Sequence, residues 1–198
     1  DVAVEDSTWT AGRRGVAGTV FVEKIAGAVA AAGGSLDEVT GAAQAMSDSI
    51  RSMGLALRGC TLPHVGEPGF ALNDDEVEMG VGINGEPGRD RVAMASADDL
   101  TDTLVDAILA DKKLAAGDEV IVLVNGMGGT PGYQLDIVFR RVAQRLDEAE
   151  LVIARSLVGN YVTSLDMEGV SVTIAKVDQV MLDQWDAPVH TPALRKGC

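Results

Sequence analysis

Glu119-Val120-Ile121-Val122-Leu123-Val124-Asn125-Gly126-Met127-Gly128-Gly129-Thr130 joins an unbroken aliphatic run, mostly β-branched, to a glycine-rich tail. A strand covered on both faces has this continuous character, because neither side can carry polar residues into water. The run therefore belongs at the centre of an α/β sheet. Downstream, residues 133–149 are amphipathic at helical spacing, 151–156 form a second aliphatic strand and 170–177 a third. Strands alternating with helices predict an α/β layer fold, a layered sheet flanked by helices.

Upstream, Val77, Met79, Val81 and Ile83 alternate with period two over 76–83, which marks a half-buried strand. It runs into Gly82-Ile83-Asn84-Gly85-Glu86-Pro87-Gly88. Ser96 or Asp98 can cap a helix reaching about residue 113. Residues 19–32 are alanine-rich with helical spacing and stop at Gly33-Gly34. Ser35 followed by Glu38 forms a capping box for a second helix through about residue 49. Residues 52–57 suit a short strand, and 60–73, rich in glycine and proline, a loop. That loop is the expected boundary between two parts, 1–59 and 60–198. Asp1-Val2-Ala3-Val4 reads as the edge of a strand, and a first residue other than methionine suggests a processed or recombinant fragment.

With 198 residues and 46% apolar content the chain can bury a real core in one or two compact domains. Sixteen basic against 30 acidic side chains give a formal charge of −14, which repels phosphate backbones and argues against nucleic acid as a partner. Two cysteines, Cys60 and Cys198, do not make a disulfide scaffold, and a reducing, cytoplasmic setting is expected. No apolar run approaches the roughly 20 residues that cross a bilayer, so no membrane role is expected.

Three constellations can carry chemistry. The loop around Asn84 sets glycines and a proline about two polar side chains, Asn84 and Glu86, at a strand end, where α/β sheets bind ligands. The plain alternative is a tight turn in which asparagine tolerates left-handed dihedrals. Asn125-Gly126-Met127-Gly128-Gly129-Thr130 follows a buried strand and precedes a helix, so its amides can receive an anion. It can equally be a turn that lets helix and strand approach, and Pro131 with no Gly-Lys-Ser/Thr ending excludes a Walker-type site. Arg13-Arg14, bracketed by glycines, can fork a phosphate or carboxylate or form an internal salt bridge. His64 and His190 lie in proline-flanked loops without an orienting acid, Met127, Met167 and Met181 read as core filling, and Cys60 has no companions at metal-ligand spacing.

Five blocks in order resemble the later part of the sugar-binding K subunit of dihydroxyacetone kinases. They are Asp6-Ser7, the 10–19 stretch Thr-Ala-Gly-Arg-Arg-Gly-Val-Ala-Gly-Thr, Gly85-Glu86-Pro87-Gly88, Asn125 to Thr130, and Ser164-Leu165-Asp166-Met167. The resemblance implies a DhaK-like fold lacking its N-terminal portion, with 1–59 the remnant of the first α/β domain and 60–198 the C-terminal one. It implies a homodimeric subunit that binds a small ketose or polyol through Gly82, Asn84, Gly85 and Glu86. The phosphoryl donor, ATP with Mg or a phosphotransferase protein, is expected on a DhaL-like partner subunit or domain, and no cofactor or metal on this chain. In that family a histidine in Gly-Ile-His-Gly-Glu-Pro-Gly captures the ketose carbonyl as a hemiaminal. Asn84 stands there instead. Its amide lone pair is delocalised into the carbonyl, so Asn84 is no nucleophile but can still donate and accept hydrogen bonds. No catalytic residue is assigned on these grounds. Asn125, Gly128, Gly129, Thr130, Arg13 and Arg14 remain candidates for a pocket or partner loop. The family's remaining contacts would precede Asp1, so this chain alone is expected to be inactive. The alternative is a non-catalytic DhaK-like regulator or binding module.

Overall fold

A computed structural model describes residues 1–7, 12–84 and 88–197. Thr10, Ala11, Gly85, Glu86, Pro87 and Cys198 lie outside the described residues. Two helices come first, α1 (Thr19–Ala31) and α2 (Leu36–Ser49), followed by the strands β1 (Ile50–Arg58), β2 (Glu76–Met79) and β3 (Asp90–Ala93). Next come α3 (Ala97–Asp111), β4 (Glu119–Gly126), α4 (Gly132–Glu148), β5 (Val152–Gly159), β6 (Glu168–Lys176) and α5 (Gln179–Asp186). A small hairpin of β7 (Val189–His190) and β8 (Arg195–Lys196) closes the described chain.

Six strands form one mixed sheet in the order β3-β2-β1-β6-β4-β5. β4 and β5 are parallel, joined through α4, while β6 runs antiparallel to both β4 and β1. The aliphatic run in β4 splits as its composition demands. Val120, Val122 and Val124 face α3 and α4 and pack with Leu104, Ile108, Leu135 and Val142, whereas Ile121 and Leu123 face Phe21, Ile25, Met46 and Trp185 from α1, α2 and α5. Both faces of the strand are therefore buried, and all five of these residues are fully inaccessible. Phe21 meets Trp185 edge-on, ring centroids 5.3 Å apart.

Local signals set the helix starts. The Ser35 hydroxyl accepts from Glu38 N while the Glu38 carboxylate accepts from Ser35 N at 2.7 Å, the capping box expected of that pair. Of the two candidate caps for α3, Ser96 serves, accepting from Asp99 N at 3.1 Å. α3 and α4 are further tied by acid-to-arginine pairs, Asp102 with Arg141 at 2.7 Å and Asp106 with Arg145 at 2.6 Å.

Several expectations need correction. β2 ends at Met79, four residues before Ile83, because Gly80 takes φ +77° and turns its N–H to Gly54 O at 2.7 Å. Val81 stays buried outside the strand. Residues 1–4 form no strand; only Val2 N reaches β1, at Ser52 O, 2.8 Å, and the Asp1 carboxylate is held by Ala3 N and Arg14. The expected boundary at 59 does fall in a loop, yet the strand before it, β1, lies between β2 and β6 in the same sheet. β3 and α5 carry no signal that marked them in advance: β3 is an exposed edge and α5 a short helix.

Two measurements test this architecture. Phe21→Ala should cost about 3–5 kcal/mol in urea unfolding, since it opens a cavity beneath Trp185 and α1 has no other large anchor fully buried there except Ile25. Asp186 accepts from Arg155 at 2.5–3.2 Å and from Lys196, and these bonds hold its carboxyl well below the usual carboxylate range. A depressed folded pKa stabilises the fold above the unfolded value near about 4 and is lost as pH falls towards the folded one. Wild type should therefore exceed Asp186→Asn in stability at neutral pH, the difference closing on acidification below about pH 4.

Candidate functional site

The loop that follows β2 is held at both ends. Arg14 donates through Nη2 to Gly80 O at 2.5 Å and to Asp1 Oδ2 at 2.6 Å, so one guanidinium joins the chain's first residue to the loop's first glycine. At the far end Glu78, only 4% exposed, accepts from Gly88 N at 2.9 Å and from Arg91 Nε at 2.8 Å. Arg89 N donates to Met79 O at 2.7 Å and closes the base. Gly82 is buried, and Asn84 stands exposed at the described tip. Gly85 and Glu86, the other expected binding residues of this loop, are among those outside the described residues.

In the second loop Asn125 is fully buried and its amide is consumed within the fold. Its Oδ1 accepts from Tyr161 N at 3.0 Å and Val162 N at 2.9 Å, and its Nδ2 donates to Val162 O at 2.8 Å. Thr130 Oγ1 donates to Gly169 O at 2.8 Å. Gly128 has φ +117°, and a Cβ there would come within 1.9 Å of Leu165 O, so no other residue fits. Gly128 N donates to Asn160 Oδ1 at 3.2 Å and Gly129 N to Met167 O at 2.9 Å. The amides of Gly128 and Gly129, the ones an anion would use, are thus turned onto the chain's own oxygens.

The two loops meet below their tips. Val81 from the first and Met127 from the second share a small buried cluster with Ala56, Cys60 and Met167, capped by Leu62 and Phe70. Asp166 fastens the loop that follows Arg58 to this cluster by accepting from Thr61 N at 2.6 Å and Thr61 Oγ1 at 2.8 Å; the Thr61 backbone amide lowers its pKa most. Arg13 is placed elsewhere: it donates to Asp111 at 2.8 Å, and Asp111 is also paired with Arg51. Burial opposes ionisation of Asp111, but the two arginines prevail and its pKa is lowered. Arg13 and Arg14 line a cavity of about 720 Å³ together with Gly15, Thr19, Ser47 and Arg51.

Glu78, Asn160 and Thr61 were missed by sequence reasoning. Glu78 sits at the outward phase of an alternating strand, where a carboxylate reads as solvated; only pairing with β1 and β3 buries it. His64 and His190 are exposed, and Cys60 is a buried free thiol. Among the described residues no group of three or more His, Cys, Asp or Glu side chains could hold a metal ion, and no helix is long and apolar enough to cross a membrane.

Asn125→Ala would strand two buried N–H groups and one carbonyl. It should lower stability by about 2–4 kcal/mol in denaturant unfolding and speed amide exchange at Tyr161 and Val162 before the rest of the sheet.

Against known proteins, the Dak1 domain family model matches residues 1–193. The chain is 45% identical over 221 residues to the dihydroxyacetone-binding subunit DhaK of the PEP-dependent dihydroxyacetone kinase of Escherichia coli K12, covering all of this chain and 62% of that protein. It is 48% identical over 194 residues to the DhaK subunit of PTS-dependent dihydroxyacetone kinase 1 of Listeria innocua, covering 98% and 59% respectively. A solved structure of a dihydroxyacetone kinase operon co-activator, DhaQ, superposes with a TM-score of 0.86 at 35% identity, over 95% of this chain and 58% of that one. The chain therefore spans about three-fifths of the length of these relatives. The family match covers nearly every residue, the kinase subunits agree with it over the same span, and the five sequence blocks had pointed the same way: the chain belongs to the Dak1 domain family.

Proposed function

We propose that this chain is the later part of a DhaK-like subunit that binds a small ketose or polyol and presents its terminal hydroxyl to a phosphoryl donor carried by a partner. The observation that carries the reading is the loop after β2, framed by Arg14 and Glu78, with Asn84 exposed at the histidine position of the family's ketose loop. Phosphoryl transfer needs little covalent work from the protein; alignment of the hydroxyl and charge stabilisation by the donor's metal dominate. A nucleotide-binding, DhaL-like subunit or domain, or a phosphotransferase protein, supplies the donor, and the chain works in the cytoplasm as part of a homodimer. The chain itself contributes position. Asn84 donates its amide N–H to the sugar carbonyl or accepts from a hydroxyl, and with its lone pair delocalised it forms no bond to carbon.

A second reading, a non-catalytic regulator, draws support from the same Asn84 and from the likeness to the DhaQ co-activator. The kinase subunits are the nearer in sequence, 45–48% against 35%, which favours the first.

The full-length protein, mixed with its donor partner, should phosphorylate dihydroxyacetone or a four-carbon ketose; binding without turnover under any donor would favour the regulator. In intact-mass spectra with dihydroxyacetone the wild type should show no adduct, whereas Asn84→His should gain one triose. Asn84→Ala should weaken ketose binding about tenfold, the worth of one hydrogen bond of about 1–1.5 kcal/mol.

A further inference from the structure

The geometry points to Glu78 as a positioning residue for the ketose loop, an inference that rests on the reading of that loop given above. Asn84 lies midway between two anchored glycines. Gly80, four residues before it, is held through its carbonyl by Arg14 and through its N–H by Gly54 O. Gly88, four residues after it, is held by a side-chain bond from its N–H to Glu78 Oε1 at 2.9 Å. Glu78 is the one carboxylate among the buried residues of β1, β2 and β3, and only 4% of it is exposed. Burying a carboxylate is costly unless its oxygens are paired, and among the described residues Gly88 N serves Oε1 and Arg91 Nε, at 2.8 Å, serves Oε2.

The two partners separate two roles. Arg91 belongs to β3, the strand next to Glu78, where the register pairs the two residues directly across the ladder. That contact can serve the β2–β3 hairpin alone. Gly88 belongs to the loop, and a hairpin already closed by Arg89 N to Met79 O does not need it. The Oε1 bond fixes the position of Gly88, next to the start of β3. Glu78 acts on the substrate only through that loop. Glutamine keeps an acceptor oxygen for Gly88 N and gives up the charge opposite Arg91, so Glu78→Gln and Arg91→Gln remove the hairpin contribution while leaving the loop bond.

The test uses the full-length protein, with titration calorimetry against dihydroxyacetone and amide exchange at Gly88 measured on each variant. Glu78→Ala should weaken ketose binding about tenfold and accelerate exchange at Gly88, while Glu78→Gln and Arg91→Gln stay within about threefold of wild type in affinity whatever they do to thermal stability. Affinity that follows stability across all three variants, or a Glu78→Ala protein that binds as wild type, would overturn the positioning role. Should Glu78→Ala not fold, Glu78→Asp takes its place; one methylene shorter, it cannot hold both partners, and the same loss of affinity and protection is expected. A wild type that binds no ketose would sink the reading of the loop itself, whereas unchanged exchange at Gly88 in Glu78→Ala, with a wild type that does bind, would sink only the role of Glu78.

Discussion

The structure depends on β6, the last long strand of the chain, entering between β1 and β4. Without it the first strand and the parallel β4–β5 pair are separate pieces with unpaired edges, and buried N–H and C=O groups on both sides lack partners. Once it is in place, β1 and β4 are paired along most of their length. The Ser52 and Thr173 hydroxyls, both buried, meet across the β1–β6 ladder at 2.8 Å. The contact joins residues 121 positions apart, so forming it carries the closure entropy of a long intervening chain.

That insertion also builds the candidate site. Thr61 is fastened to Asp166, just before β6, and Met167 joins Val81, Cys60 and Met127 in the cluster beneath both loops. The Asn84 loop is thereby stationed on a rigid support made by segments from three separate parts of the chain. The polar groups that looked most available for ligands in the second loop are spent on this support: Asn125 on Tyr161 and Val162, Gly129 on Met167. Asn84, at the described end of the first loop, is exposed. The second loop thus supports the first.

Under the proposed function, a carboxamide in place of an imidazole at Asn84 would change the chemistry while leaving the scaffold in place. Hydrogen-bond geometry survives because asparagine has both a donor and an acceptor, while nucleophilicity does not. The chain is similar to kinase subunits and to an operon co-activator alike, so the fold by itself does not fix the activity.

The sequence by itself determined the layered α/β architecture, both capped helices and the family. Continuous aliphatic runs, Ser35 with Glu38, and five ordered blocks are local signals that act over a few residues. Tertiary structure alone decided that Gly80 ends β2, that residues 1–4 dock against Arg14 and Ser52 instead of joining the sheet, and that Arg13 and Arg14 serve Asp111 and Gly80. It also decided that Glu78 is buried. Strand alternation assigns a residue to a face but cannot say whether that face is covered; for Glu78 the answer came from its neighbours in β1 and β3, which lie 20 or so positions upstream and 13 downstream, and from the loop amide that folds back onto it.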